Sequence, residues 1–294
     1  MNGGRSGISQ PLPQCGRVAL ICGGGQFPLV AARAAQKRGL DVFLLGLRGV
    51  ASQEIEAFPH VWLAIGQLGA AFRAILSRDI RQVCLIGGLG RPEFSDLRLD
   101  WGGIKRLPEI FSLLKGGDNH TLKGVIGLFE SEGLQVIGVD SLAPELLAAE
   151  GPMNRLPLPA DLAEDLSLGR KCLGDLSAYD CGQALVVAHH RIIAIEAVEG
   201  TDGMLARVAD LREIGRWRAK GPAGLLVKAP KAGQDLRVDL PAIGPETVAA
   251  AARGGLRGLA VAAGKVLVLD RAELAAQAES AGLFLYGFST ELPA

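Results

Sequence analysis

The sequence predicts an α/β protein, a Rossmann-like parallel-sheet N-terminal domain followed by a second α/β domain with a mixed sheet. Three observations carry this. Over residues 17–145, short continuous apolar runs, most of them ending in glycine, alternate with segments of helical spacing. A Pro-rich stretch without period, "AEGPMNRLPLPA", interrupts the alternation. The alternation then resumes, with one apolar run broken by "AHHR". Strands buried on both faces read as unbroken apolar runs, and helices between them cover the two faces of a parallel sheet.

The elements follow in order. "RVALICGGG" is a buried strand closed by glycines, and "FPLVAARAAQKRG" a helix stopped at Gly39. Pro28 fits the first helical turn, where no backbone N–H is missed. "DVFLLGL" and "HVWLAIG" are the second and third strands, "QLGAAFRAILSRD" a helix, and "QVCLIGGLG" a fourth strand. "DNHTLKGVIGLFESEG" is a helix with an Asp or Asn cap, and "LQVIGVD" a fifth strand. Residues 1–16 are expected as a flexible leader, 17–150 as the first domain, 151–159 as a linker and 160–294 as the C-terminal catalytic domain. That domain begins with the helix "DLAEDLSLGRKCLGDLSAYD". The run "ALVVAHHRIIAIEAV" holds two strands, because adjacent histidines on one strand point to opposite faces and a turn at "AHHR" accounts for them better. A helix at "DGMLARVADLREIG", a strand at "AGLLVKAP", and further segments to "LFLYGF" complete the unit.

Composition excludes several classes. Thirty-one basic residues balance 31 acidic ones, which argues against a nucleic-acid partner. The five cysteines have no metal-knuckle or redox spacing, and Cys22 and Cys84 read as small core residues. No apolar run is long enough to span a bilayer, so membrane contact must be peripheral.

Several loops carry candidate chemistry. "CGGGQFP" follows the first strand, where the backbone of Gly24, Gly25 and Gln26 can approach an anion at a helix start. Pro28 stands where the dinucleotide fingerprint needs its third glycine, which weakens a nicotinamide cofactor. "GGLGRP" follows the fourth strand. The two glycine turns could form one crevice, with Arg91 facing a phosphate or carboxylate. Asp118 and Asn119 read as a helix cap or as ligand-binding groups. Glu199, Thr201 and Asp202 cluster oxygen atoms at one strand-to-helix turn, suited either to capping or to a hard cation. In "LLVKAPKAGQDLRVDLPAIGP", Asp235, Arg237 and Asp239 share one face if the segment is extended. Two carboxylates four residues apart could hold one ion only if the chain bends.

These segments, in order, resemble the UDP-diacylglucosamine pyrophosphatase family of lipid A biosynthesis. The resemblance rests on "CGGGQFPLVAARAA", "GLGRP", "GDNHTL…FESEG", "AIEAVEGTDGML" and "LVKAPKAGQDLRVDLPAIG". The last follows the pattern Lys-x-x-Lys-x-x-Gln-Asp-x-Arg-x-Asp-x-Pro through Lys228, Lys231, Gln234, Asp235, Arg237, Asp239 and Pro241, with Ala232 where Pro is common. The resemblance implies a hydrolase that cleaves UDP-2,3-diacylglucosamine to UMP and the acylated sugar 1-phosphate, with water attacking the α-phosphorus. It implies Mg²⁺, a ligand held between the two domains, and a cytoplasmic protein peripherally associated with the inner membrane.

Asp235 is then expected as the essential carboxylate, holding the metal or placing the water, with Asp202 second. Asp239 is expected on the metal or orienting Arg237. Gly24, Gly25, Gln26, Arg91, Asp118, Asn119, Thr201, Lys228 and Gln234 are expected to bind substrate. The rival expectation is a non-catalytic nucleotide-sugar or lipid-binding module. The surplus of carboxylates beside lysines, which an anion pocket would avoid, counts against it. Whether the chain forms a homo-oligomer stays open.

Overall fold

The structure, a computed structural model, describes residues 16–90, 98–106 and 118–290. It divides into two compact units. The first runs to Pro144 and also includes Asp235–Asp239; the second holds Glu145–Gln234 and the chain from Leu240 onward.

The first unit is built on a five-stranded parallel sheet of β1 (Arg17–Cys22), β2 (Asp41–Leu47), β3 (His60–Leu63), β4 (Gln82–Ile86) and β5 (Gln135–Val136), in the order β3-β2-β1-β4-β5. Helices α1 (Phe27–Lys37), α2 (Leu68–Leu76), α3 (Trp101–Lys105), α4 (Asp118–Glu130) and α5 (Val139–Leu142) lie between or after the strands. Both faces of the central strands are apolar, so Val18, Leu20, Leu44 and Val83 are fully buried. This is the double-sided burial that continuous hydrophobic runs require. Pro28 does sit in the first turn of α1. The fifth strand keeps only two residues of its apolar run, because Val139–Leu142 turns into α5.

The second unit has a six-stranded mixed sheet of β6 (Gly151–Pro152), β7 (Ala184–Ala188), β8 (Arg191–Ile195), β9 (Leu225–Lys228), β11 (Gly258–Ala262) and β13 (Phe284–Phe288). Its order is β6-β13-β11-β9-β7-β8, and β10 (Ala242–Ile243) pairs separately with β12 (Leu267–Val268). Helices α6 (Ala163–Leu176), α7 (Gly200–Glu213), α8 (Pro245–Arg253) and α9 (Arg271–Ser280) accompany these strands. The "AHHR" turn is a hairpin between antiparallel β7 and β8. His189 and His190 take left-handed φ values of 50° and 58°, as a tight hairpin demands. Their N–H groups donate to the buried carboxylate of Asp165 at 3.0 and 2.6 Å.

Two local expectations differ from the structure. Residues 151–159, expected as a linker, begin with β6 paired antiparallel to β13. Asn154 continues this edge by donating to Leu283 O at 2.8 Å and accepting from the Leu285 N–H at 3.2 Å. The segment "DLRVDL", considered above as an extended strand, is a turn: the Val238 and Asp239 N–H groups both donate to Asp235 O at 3.2 Å. The reason is tertiary. Val238 packs against the hydrophobic core of the first unit. That anchoring outweighs the alternating pattern. Among the described residues, no helix is long and apolar enough to cross a membrane.

Candidate active site

In the first sheet β1 lies between β2 and β4, so the chain winds outward in both directions from this point. Such a switch point leaves a crevice at the carboxyl ends of the strands. The two glycine turns meet there. The Gly24 N–H donates to Gly88 O at 2.6 Å, the Gly88 N–H to Gly24 O at 3.0 Å, and the Gly23 N–H to Ile86 O at 2.9 Å. A Cβ on Gly23 would stand 2.6 Å from Gly88 O, and one on Gly87, whose φ is +99°, would stand 2.7 Å from Gly24 O. Only glycine permits this approach. Gly25 and Gln26 are exposed beyond the contact. Gln26 is the N-cap of α1, and its side chain makes no capping bond. Of the other residues expected here, Arg91 lies outside the described residues. Asp118 and Asn119 open α4, with their side chains outside the described part of the structure.

Asp235 is part of a chain of ion pairs within the first unit. Its Oδ1 accepts from the Arg237 Nε at 3.0 Å and from the Arg237 backbone N–H at 3.1 Å, while Oδ2 accepts from a terminal nitrogen of the same guanidinium at 2.7 Å. The other terminal nitrogen of Arg237 donates to Glu130 Oε1 at 3.0 Å, at the end of α4. Planar guanidinium and carboxylate match in this two-pronged geometry. The Arg237 bond, aided by the charge of Lys123, holds the Asp235 carboxyl below the usual carboxylate range against the effect of burial. Arg237 is correspondingly shifted upward, foremost by Asp235 and further by Glu130. The backbone fits closely as well: a Cβ on Gly138 would lie 3.2 Å from Arg237 Cα. Asp235 orients Arg237, because the turn places its side chain beside the arginine two residues on.

The second unit holds the other candidates. Lys228, at the carboxyl end of β9, is only 6% exposed, and its Nζ donates to Thr201 Oγ1 at 2.5 Å. Burial of a lysine needs such a polar partner. Thr201 and Asp202 lie in the first turn of α7, whose N-cap, Glu199, makes no side-chain capping bond. The three oxygen-bearing residues of this turn diverge: Glu199 binds Arg207 at 2.6 Å, Thr201 receives Lys228, and Asp202 is exposed. Gln234 braces its own loop, its Oε1 accepting from the Lys231 N–H at 2.8 Å, while Lys231 Nζ pairs with Asp180 at 2.5 Å.

A preformed metal cage does not fit these residues. Among the described residues, no group of three or more His, Cys, Asp or Glu side chains is placed to hold a metal ion. Both Asp235 oxygens already accept from Arg237, although the chain does bend between Asp235 and Asp239 as a shared ion would require. Glu130 was not anticipated as a partner in this arrangement. It lies 107 positions from Arg237, and no local spacing connects them. The "FESEG" motif that contains it was the one available signal.

Residues 17–146 match the LpxI N-terminal domain, and residues 149–286 match the LpxI C-terminal domain. The chain is 37% identical over 272 residues to the UDP-2,3-diacylglucosamine pyrophosphatase LpxI of Caulobacter vibrioides, covering 92% of this chain and 97% of that protein. With both domains matched in order, this chain belongs to the LpxI family.

Proposed function

We propose that this protein hydrolyses the pyrophosphate bond of UDP-2,3-diacylglucosamine, forming UMP and 2,3-diacylglucosamine 1-phosphate for lipid A biosynthesis. The observation that carries this is the near full-length similarity to an enzyme of that name. The water oxygen forms a bond to the α-phosphorus as the bond from that phosphorus to the bridging oxygen breaks. The bridging oxygen leaves with the sugar phosphate, and the water proton passes to solvent or to phosphate oxygen. Asp235, held ionised by Arg237, accepts a hydrogen bond from the attacking water and orients it. Its lowered pKa suits this better than full proton abstraction, which favours a base tuned near the working pH. Arg237 retains partly exposed N–H groups for charge on the phosphate oxygens, since a guanidinium carries five donors. The Gly24–Gln26 turn and Lys228 with Thr201 bind anionic or hydroxyl groups of the substrate, with Arg91, Asp118, Asn119 and Gln234 as further contributors.

Mg²⁺ belongs to this reading as an ion that arrives with substrate. It is commonly held through one or two carboxylates, phosphate oxygens and waters rather than by an all-protein cage. Its chemistry would be neutralisation of phosphate charge, and Asp235 and Asp239 are the carboxylates to be tested. In this reading the protein works in the cytoplasm, peripherally on the inner membrane, where an acylated substrate resides.

The test is ³¹P detection of UMP from UDP-2,3-diacylglucosamine. Turnover should require a divalent cation and stop on chelation. Mg²⁺ without substrate should leave the thermal midpoint of the protein unchanged, because the described residues form no cage for it. Tight substrate binding with no UMP released in Mg²⁺ would instead identify a non-catalytic binding module.

A further inference from the structure

The second unit carries a cationic groove that the reaction does not use. It has a volume of about 460 Å³ and is lined by His189, Arg191, Ile192, Ile193, Arg216 and Arg218 among others. One side is β8, the edge strand of the six-stranded sheet. The other is the loop "IGRWRAKG" that follows α7. The loop is held by its one buried member. Trp217 is 9% exposed, its backbone N–H donates to Leu211 O at 2.9 Å, and the guanidinium of Arg212 lies 4.7 Å from its ring centroid. With Trp217 turned inward, its neighbours Arg216 and Arg218 are exposed, as are Arg191 and Lys220. Ile214, at the start of the loop, is 68% exposed.

We infer that this face is the protein's docking surface for an anionic phospholipid bilayer. Two features support the choice. Three arginines, Arg191, Arg216 and Arg218, line the groove with no carboxylate among its lining residues, and exposed Lys220 follows in the same loop of a chain with no net charge; the exposed carboxylates Glu164, Asp210 and Glu213 stand outside that lining. An exposed isoleucine and the half-buried Ile192 and Ile193 stand among those cations. Cations that meet lipid phosphates, with apolar groups entering the boundary beneath them, are the pattern of an interfacial surface. The inference rests on the proposed reaction in one respect, that an acylated substrate gives the enzyme reason to visit a membrane.

The test compares the full-length protein with the double variant R216E/R218E. A control, K171E/R253E, changes net charge equally at exposed sites of the same unit. Wild type and control should cosediment with vesicles of phosphatidylcholine mixed with phosphatidylglycerol, bind vesicles of phosphatidylcholine alone far less, and dissociate as salt rises. R216E/R218E should bind the mixed vesicles at least about tenfold more weakly, given four units of charge removed from the surface. It should hydrolyse detergent-solubilised substrate as wild type does, but substrate embedded in mixed vesicles more slowly. Equal vesicle binding by wild type and R216E/R218E would overturn the inference. So would a wild-type dimer that R216E/R218E converts to monomer, since the face would then be a self-interface. If detergent-solubilised substrate were not cleaved at all, the proposed reaction would fail while the vesicle result still decided the docking surface.

Discussion

Asp235 is the side chain to which the proposed reaction assigns the attacking water. It binds Arg237 through both oxygens, and Arg237 in turn binds Glu130. Asp235→Ala leaves Arg237 still paired with Glu130 and leaves Val238 in the core of its unit. Because these charged groups are partly exposed, stability should change by only about 1 kcal/mol or less. Turnover should fall roughly a thousand-fold or more, since the placement of the attacking water is lost from the transition state. Substrate should still bind and remain uncleaved, which ³¹P spectroscopy and a direct binding isotherm would show together. Turnover within about ten-fold of wild type would assign the water to another group.

At the level of elements, Asp100 joins two helices. Its Oδ1 accepts from the Gly69 N–H at 3.1 Å and the Gly103 N–H at 2.9 Å, and its Oδ2 accepts from the Ala70 N–H at 2.7 Å. One carboxylate thus satisfies donors at the starts of both α2 and α3, which would otherwise lack partners. Gln67, the N-cap residue of α2, makes no side-chain capping bond. Asp100→Ala should therefore destabilise the first unit by about 1–3 kcal/mol in urea unfolding. Burial alone would raise the Asp100 pKa, but the three N–H donors outweigh it and the pKa is lowered. The unfolded carboxyl titrates near 3.9, so the stabilisation is complete above about that pH and is lost as pH falls through the lower folded value. Asp235 contributes with the same sign. Wild type should accordingly lose more stability than Asp100→Ala between about pH 5 and pH 3. Equal losses would mean that the carboxylate makes no net contribution.

For the whole molecule, chain order and unit membership do not coincide. Asp235–Asp239 belongs to the first unit although the chain on both sides of it belongs to the second. Val238 is the apolar anchor of that segment. Val238→Asp introduces a charge against the apolar core of the first unit, and should cost that unit about 1–3 kcal/mol. Hydrogen exchange should quicken in α4 and β5 of the first unit and stay unchanged in β7 of the second. Faster exchange in β7 with protection kept in α4 would contradict the assignment of this segment.

The sequence by itself determined the class of the protein, the two sets of alternating elements, the hairpin at His189–His190 and the glycine turns after β1 and β4. These depend on local causes: hydrophobic period, turn chemistry, and the absence of a side chain where backbones touch. It also drew notice to Lys228, just ahead of the alternating Asp235, Arg237 and Asp239, and to Asp235 through that alternation and the family motif it fits. Only the tertiary structure decided that "DLRVDL" turns rather than extends, that Arg237 binds Asp235 and Glu130 together, and that Lys228 is buried against Thr201. Each of these depends on residues far apart in the chain, Glu130 from Arg237 and Thr201 from Lys228. No local period records such pairs, because packing between distant segments, and not propensity within one, sets their geometry.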